Sequence, residues 1–235
     1  MAKILRYITT VFVVLLLYSC GTAKKVNVQK QNDLQYTLKK PHISEKYGKG
    51  TWDLRLTMPY INHFILKPDV ETEKTSTGFF GAAIGFDYYH HNTQYLSTVV
   101  GGALDFFLPF GAAVDYAGEV EFCSSSFIGL TNNHRYKFLS FGYGLSYSHN
   151  SWRLVDYGDD LGAIPFTIRD YTDNTLGLMF TGYWLTKKSF SLGIIYRPNF
   201  YRLNINPTFK YEHLISIDLA WRIRLKTVAR KKYAI

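Results

Sequence analysis

The stretch from residue 209 to residue 225 decides the fold, and it reads Phe209-Lys210-Tyr211-Glu212-His213-Leu214-Ile215-Ser216-Ile217-Asp218-Leu219-Ala220-Trp221-Arg222-Ile223-Arg224-Leu225. Large apolar or aromatic side chains recur at every second position through most of the stretch, and polar or charged side chains fill most of the positions between them. An alternation with a period of two places the two classes on opposite faces of an extended strand. The stretch therefore predicts a long β-strand with one apolar face and one charged face.

The same alternation recurs in seven further segments of the chain, and none of them has a convincing helical period. Together with the stretch above, taken as residues 208–225, these segments predict an all-β chain of eight strands. The seven further strands are predicted at about residues 51–60, 78–89, 94–107, 117–130, 135–148, 174–185 and 189–200.

The connections between the predicted strands alternate between short and long. Short polar turns are predicted around residues 91–93, 131–133 and 186–188. The longer connections are predicted at residues 61–77, 107–116, 149–173 and 201–207. An even number of strands, with short turns at one end and long loops at the other, is typical of transmembrane β-barrels. Residues 51–225 are therefore predicted to form a closed, antiparallel, eight-stranded, up-and-down transmembrane barrel.

The two faces of the predicted strands indicate which side points into the barrel. One face is large and aromatic, and the other combines Gly, Ala and Ser with charged residues. The interior of an eight-stranded barrel is only just wide enough for side chains, so the aromatic rings of all eight strands would overfill it. We therefore expect the aromatic face to contact lipid. A soluble, lipid-anchored ligand-binding barrel is the alternative, and it requires the rings to point inward.

The charged residues of the predicted inner face fall into two layers. Near the extracellular end we expect Asp105, Glu119, Glu121, Arg197, Lys210 and Glu212. Near the periplasmic end we expect Asp53, Arg55, Asp87, Arg222 and Arg224. Because buried charges must be paired, the first interpretation is a salt-bridge network that plugs the lumen. The alternative is a narrow polar conduit or a proton-linked site.

The N-terminus has the layout of a secretory signal peptide. Lys3 and Arg6 precede an uncharged apolar segment at residues 7–18, which is too short to span a membrane as a helix. The ending Leu17-Tyr18-Ser19-Cys20-Gly21 resembles the lipobox of bacterial lipoproteins, which implies cleavage before Cys20 and acylation of that residue. The expected layout is a signal peptide at 1–19, a lipidated and flexible linker at 20–50, the barrel at 51–225 and a basic tail at 226–235.

The whole pattern resembles small outer-membrane β-barrel proteins of Gram-negative, Bacteroides-type bacteria. The resemblance implies an outer-membrane protein with a structural or interaction role and with both termini in the periplasm. Its expected partners are outer-membrane lipid and an extracellular ligand or protein that binds through loops 61–77 and 149–173. The net charge of +9 would also suit nucleic acid, but an exported protein rarely meets it, so we expect no nucleic-acid partner.

The segment His149-Asn150-Ser151 provides an enzymatic alternative. A His-x-Ser pair on a barrel strand resembles the catalytic pair of outer-membrane lipid A deacylases, in which the histidine is the general base and the serine the nucleophile. The resemblance covers three residues. The glutamate expected downstream is absent, and Asp159 is the candidate acid in its place. The hypothesis is therefore a lipid A-modifying acyl hydrolase that uses His149, Ser151 and Asp159.

The sequence contains no phosphate loop, dinucleotide fingerprint or zinc motif, so we predict neither a cofactor nor a metal. His90 and His91 stand beside a predicted turn without cysteine or carboxylate partners at ligand spacing, which favours a solvated turn. Cys123 has no disulfide partner if Cys20 is acylated, and a Cys20–Cys123 disulfide is the alternative for this pair.

Overall fold

A computed structural model of the chain describes residues 48–69, 71–109, 118–158, 166–186, 189–204 and 207–226. These residues form eight strands: β1 (Trp52–Leu66), β2 (Lys74–His91), β3 (Gln94–Phe106), β4 (Glu119–Tyr136), β5 (Leu139–Asp156), β6 (Phe166–Leu185), β7 (Phe190–Arg202) and β8 (Phe209–Lys226). Each strand pairs antiparallel with the next, and β8 pairs antiparallel with β1, so the sheet closes into a barrel. The predicted closed, up-and-down, eight-stranded fold is confirmed. The signal peptide, most of the linker and residues 227–235 lie outside the described residues.

Several strands are longer than the sequence pattern predicts. The predicted loop 61–77 contracts to 67–73, because β1 continues to Leu66 and β2 begins at Lys74. The predicted loop 149–173 is also wrong, since β5 extends to Asp156 and β6 starts at Phe166. In these extensions the backbone pairing continues, while the side chains lose the regular contrast between an apolar and a polar face. A pattern based on that contrast therefore ends before the strands do.

All short connections lie at one end of the barrel, which we name the turn end. Asn92 and Thr93 join β2 to β3, and residues 186–189 join β6 to β7. The turn between β4 and β5 lies at residues 137–138 rather than at the predicted 131–133, and Lys137 has a φ of 51°. Such left-handed backbone is usual in tight hairpin turns. The start of β1 and the end of β8 also lie at the turn end, and the opposite end is named the loop end.

The outer wall is apolar along most of its height. Exposed side chains of this wall include Leu56, Phe86, Val100, Ile128, Phe141, Leu178, Ile194 and Ile217. The aromatic face thus points outward, which is the opposite of what a soluble ligand-binding barrel requires. Among the described residues, no helix is long and apolar enough to cross a membrane.

Aromatic side chains border the outer apolar wall at both ends. Near the turn end the rings of Trp52 and Tyr88 lie 4.6 Å apart, and near the loop end the hydroxyls of Tyr196 and Tyr211 lie 2.7 Å apart. Ten residue steps separate Tyr211 from Trp221, which also lies near the turn end of β8. At roughly 3.3 Å per residue and a tilt of about 40°, these steps span about 25 Å, which is the height of the apolar band on outer-membrane barrels.

The interior is filled by side chains rather than open. Halfway along the barrel Val99, Phe127, Met179 and Ile195 form a buried apolar cluster. The interior is therefore less uniformly small and polar than the sequence predicts. Glycines on the inner face make room for these larger groups, since a Cβ on Gly129 would lie 2.3 Å from the Met179 sulfur.

A substitution at Gly144 tests how tightly the wall is packed. A Cβ at this position would lie 1.9 Å from the backbone oxygen of Leu130, so Gly144→Ala must displace a strand. We expect it to lower the free energy of unfolding by about 1–3 kcal/mol, measured by urea titration of tryptophan fluorescence in detergent micelles.

Gly182→Ala is the matched control, because the nearest atom to its new Cβ, on the Phe141 ring, is 3.9 Å away. Equal unfolding midpoints for the two variants would contradict the packing described here.

Candidate functional site

Five charged side chains gather inside the turn end, and we name them the turn-end cluster: Asp53, Arg55, Asp87, Arg222 and Arg224. The strand register assembles them, because Asp53 is opposite both Asp87 and Arg224, and Arg55 is opposite Arg222. Arg224 Nε lies 2.5 Å from Asp53 Oδ1. Asp87 lies between two arginines, with Arg222 Nε at 3.2 Å and Arg55 Nη2 at 3.8 Å. Each carboxylate of the cluster is therefore ion-paired.

Tyrosines and small hydroxyl side chains surround the turn-end cluster. Arg222 Nη2 donates to the Tyr95 hydroxyl at 3.1 Å, and Arg55 Nη2 donates to Ser97 Oγ at 2.8 Å. The Tyr183 hydroxyl donates to Asp218 at 2.7 Å. Asp218 is fully buried, and its place on the inner face of β8 was visible in the sequence although it was not included in the predicted network. Charges and rings together close the barrel at this level.

A second group of charges lies at the mouth of the loop end, and we name it the loop-end cluster: Asp69, Asp173, Arg202 and Lys210. Arg202 forms an ion pair with Asp69, and its Nε lies 3.4 Å from Asp173 Oδ2. Lys210 Nζ lies 3.0 Å from Asp69 Oδ1. Of these residues the sequence predicted only Lys210, because Asp69, Asp173 and Arg202 fall in segments that were predicted as loops.

Asp69 ties the β1–β2 connection to the barrel mouth. Burial raises the pKa of its carboxyl, but hydrogen bonds and positive charge from Lys210 and Arg202 outweigh that effect, so the pKa lies below its ordinary value. Because the folded-state pKa is depressed, this pairing stabilises the folded loop at pH values above the unfolded-state pKa. The contribution is lost as the pH falls through the lower folded-state value.

Glu212 and Arg197 lie deeper in the interior and are joined by a polar relay. Glu212 accepts the backbone N–H of Lys67 at 3.0 Å and the side-chain amide of Asn150 at 3.1 Å. Asn150 Oδ1 accepts from Ser125 Oγ at 2.8 Å, and Arg197 Nη1 donates to the same Ser125 oxygen at 3.4 Å. The relay connects a buried acid to a buried base without direct contact.

Arg197 departs from the expectation that every buried charge is paired. It is 1 % exposed, and among the described residues no carboxylate lies within ion-pair distance of it. Its guanidinium carbon instead lies 3.7 Å from the centroid of the Phe127 ring. A cation over an aromatic face gains electrostatic stabilisation from the ring quadrupole, so Phe127 replaces the missing acid in part.

The remaining predicted members of the network lie at its edge or outside it. Asp105 accepts hydrogen bonds from Ser76 at 2.8 Å and from the backbone N–H of buried Cys123 at 2.7 Å. Glu121 stands at the rim, where it binds Lys74 at 2.8 Å and the Trp152 indole N–H at 3.1 Å. Glu119 is exposed at the loop end of β4, which corrects its predicted place in the lumen.

Removing Asp87 tests the turn-end cluster. Asp87→Asn leaves two buried arginines without their acid, so we expect a loss of about 3–5 kcal/mol in the free energy of unfolding. The measurement is the urea midpoint of the purified barrel in micelles.

Glu73→Gln breaks the exposed Lys67–Glu73 pair and serves as the control, with an expected loss of at most about 1 kcal/mol. A loss for Asp87→Asn no larger than that of the control would show that the cluster does not stabilise the barrel.

His149 and Ser151, the predicted hydrolase pair, both lie on the outer wall of β5. His149 Nδ1 lies 2.9 Å from Asn174 Oδ1, which also accepts the Tyr147 hydroxyl at 3.0 Å. Within the described part of the chain, no hydrogen bond joins His149 to Ser151. Asp159 lies outside the described residues, so an amide rather than an acid is the observed partner of the histidine.

Two adjoining grooves run over the outer wall beside His149. The larger, of about 590 Å³, is lined mainly by small side chains of β2, β3 and β4 and ends at His149. The smaller, of about 380 Å³, lies further toward the loop end and is lined in part by Ser151 and Arg153. Leu104 and Ser124 line both grooves. The two grooves together form one continuous recess on the apolar wall, and we name it the outer groove.

No group of three histidine, cysteine or carboxylate side chains in the described ranges is arranged to hold a metal ion.

No protein-family model and no curated protein sequence matches the chain.

Several solved structures resemble the barrel, among them three bacterial surface or outer-membrane proteins. Ail, the attachment invasion locus protein of Yersinia pestis, is 9% identical, with 74% of this chain and 99% of that chain covered and a TM-score of 0.49. Neisserial surface protein A is 14% identical over 74% of this chain and 97% of its own, with a TM-score of 0.43. The outer membrane protein AlkL is 10% identical over 87% of this chain and 99% of its own, with a TM-score of 0.36. These likenesses concern the fold alone.

Proposed function

We propose that this protein spans the outer membrane of a Gram-negative bacterium as a plugged barrel with a structural or interaction role, and that its loop end is the recognition surface. The observation that carries the proposal is that apolar side chains cover the outside of the barrel while charged side chains lie inside it, the reverse of a soluble protein. The outer wall is an apolar band of about 25 Å, and the interior holds buried charges. In water such a band would form an exposed apolar patch far larger than soluble monomers carry.

The filled interior supports a non-conducting role. The turn-end cluster with its tyrosines, the apolar cluster around Phe127 and the buried side chains Phe64, Leu66 and Trp152 occupy successive levels of the barrel. This stacking supports the plug interpretation over the narrow-conduit alternative.

The loop end has the composition of a recognition surface. Phe209 is 86 % exposed, and Phe166, Leu203, Arg169 and Asp170 are also exposed at this end. Aromatic and arginine side chains contribute much of the binding energy at protein interfaces. The corrected segments 67–73 and 157–165, with the loop-end extensions of β5 and β6, take the place of the predicted recognition loops.

Both ends of the barrel sequence leave from the turn end, which we propose to be periplasmic because short turns face that side in outer-membrane barrels. The linker that begins at Cys20 would then start in the periplasm, and acylation of Cys20 would add a second attachment to the membrane. Globomycin, which blocks lipoprotein signal cleavage, should retain the longer, unprocessed chain if Cys20 is modified.

A lipid-face charge tests the membrane proposal. Ile217→Arg places a cation in the middle of the apolar band on β8, where it costs about 2–4 kcal/mol. We expect it to reduce the fraction of heat-modifiable, folded protein in liposomes, as measured on unboiled and boiled gel samples.

The same substitution at an exposed turn residue, Asn92→Arg, should leave that fraction unchanged. A parent chain that stays in the soluble fraction and shows no gel shift on boiling would overturn the proposal.

A second candidate function, acyl hydrolysis of lipid A, is favoured by one contact. In the tautomer with the proton on Nδ1, His149 donates to Asn174 Oδ1 and presents Nε2 as an acceptor on the lipid-facing wall. Two serines lie near it in the register: Ser126 is directly opposite on β4, and Ser151 follows two residues later on β5. No acid among the described residues orients the histidine, which is why this function stands second.

Mass spectrometry of lipid A separates the two functions. We expect cells with and without the protein to have the same lipid A acylation, as the structural role requires. The enzymatic role would replace the structural one if lipid A lost one acyl chain only in cells with the parent protein. The variants His149→Gln and Ser151→Ala should then each prevent that loss.

A further inference from the structure

The outer groove is a recess in the apolar band of the outer wall. In the strand register, Ala82 on β2, Gly102 on β3 and Ser126 on β4 form one outward row of small side chains. The next outward row toward the turn end consists of Ile84, Val100 and Ile128, all of them large and exposed. The change from large to small side chains over a single row creates the recess.

Backbone geometry does not require glycine at position 102. A Cβ added there would meet only the backbone oxygen of Ser125, at 3.6 Å, which is an ordinary contact. By contrast, a Cβ on neighbouring Gly101 would lie 2.2 Å from the Ala83 side chain, so that glycine is needed for packing. The absence of a side chain at Gly102 therefore serves the open groove rather than the strand.

One wall of the groove is held rigidly by an unusual residue. Phe80 has a φ of 76°, a left-handed conformation that is rare for a bulky residue, and it lies at a β-bulge between Phe79 and Gly81. Its ring packs 5.8 Å from that of Tyr60 and 5.9 Å from that of Phe106. Strained conformations of this kind persist where the surrounding structure holds them, often at binding sites.

The groove changes from apolar to cationic along the barrel axis. Its larger part is mostly apolar, His149 stands at the junction, and exposed Arg153 lies nearer the loop end. Asp105 also lines this smaller part, where its carboxylate accepts hydrogen bonds from Ser76 and from the backbone N–H of Cys123. Asp170 is opposite Arg153 on β6, but no ion pair joins the two among the described residues. A guanidinium with free donors is suited to bidentate recognition of a phosphate.

We propose that the outer groove holds one acyl chain of a phospholipid whose phosphate binds Arg153, an inference that rests on the membrane-spanning function proposed above. The order of the groove, first apolar and then cationic toward the membrane surface, matches the order of chain and phosphate in such a lipid. Its larger part, about 590 Å³, falls within the roughly 300–1,000 Å³ of ordinary ligand pockets.

Native mass spectrometry of the full chain released from micelles tests the proposal, with dipalmitoyl phosphatidylglycerol as the probe. Gly102→Leu fills the groove, and Arg153→Gln removes the cation. Each should lower the fraction of barrels that retain one lipid by about tenfold, the effect of losing one charge-assisted contact or its equivalent in packing. Dipalmitoylglycerol lacks the phosphate. The parent chain should therefore retain it no better than the Arg153→Gln variant retains phosphatidylglycerol.

Two control variants lie outside the groove. Gly182→Leu enlarges another outward glycine with open space, and Lys137→Gln removes an exposed cation at the β4–β5 turn. Both should retain the lipid as the parent does. Equal retention in all variants, or equal loss in the controls, would overturn the proposed site. Heat modifiability is measured on the same samples, so a barrel that never folds in lipid would instead indicate failure of the membrane proposal.

Discussion

The pairing of β1 with β8 removes both edges of the sheet, and the rest of the structure depends on this closure. An open edge would expose unpaired backbone groups, which cannot be tolerated in a hydrocarbon environment. The β1–β8 pairing, which we call the seam, also assembles the turn-end cluster, because its register places Asp53 beside Arg224 and Arg55 beside Arg222. Closure and charge pairing are therefore two results of one register.

Closure with only eight strands leaves a narrow interior, so buried charges must be satisfied by neighbouring side chains. The tyrosines at positions 95 and 183 do this at the turn end, where each contributes a hydroxyl and a ring face to an arginine or an acid. Arg197 follows the same principle with Phe127 and Ser125 in place of a carboxylate. The outer wall has no such requirement, and the outer groove is the place on it where we propose that lipid contact is specific.

The sequence was sufficient to predict closure and the two faces, because period-two alternation is a direct consequence of strand geometry. It failed at the strand ends, where residues such as Lys74 and Asp156 continue the backbone ladder without an apolar face to mark it. Asp69 and Arg202 could not be paired from the sequence, since a loop residue has no register. The contact between His149 and Asn174 was hidden for a related reason, as only the β5–β6 register brings these positions together.

The seam has a kinetic consequence. Asp53 and Arg224 are 171 positions apart, whereas the hairpins closed by the short turns join residues that are close in sequence. Closing a long loop costs conformational entropy before its contacts form. We therefore expect the hairpins to form first and the β1–β8 seam to pair last. Until then β1 and β8 are unpaired edge strands of the nascent sheet. We therefore expect the pairing of the first strand with the last to be the slowest step of folding.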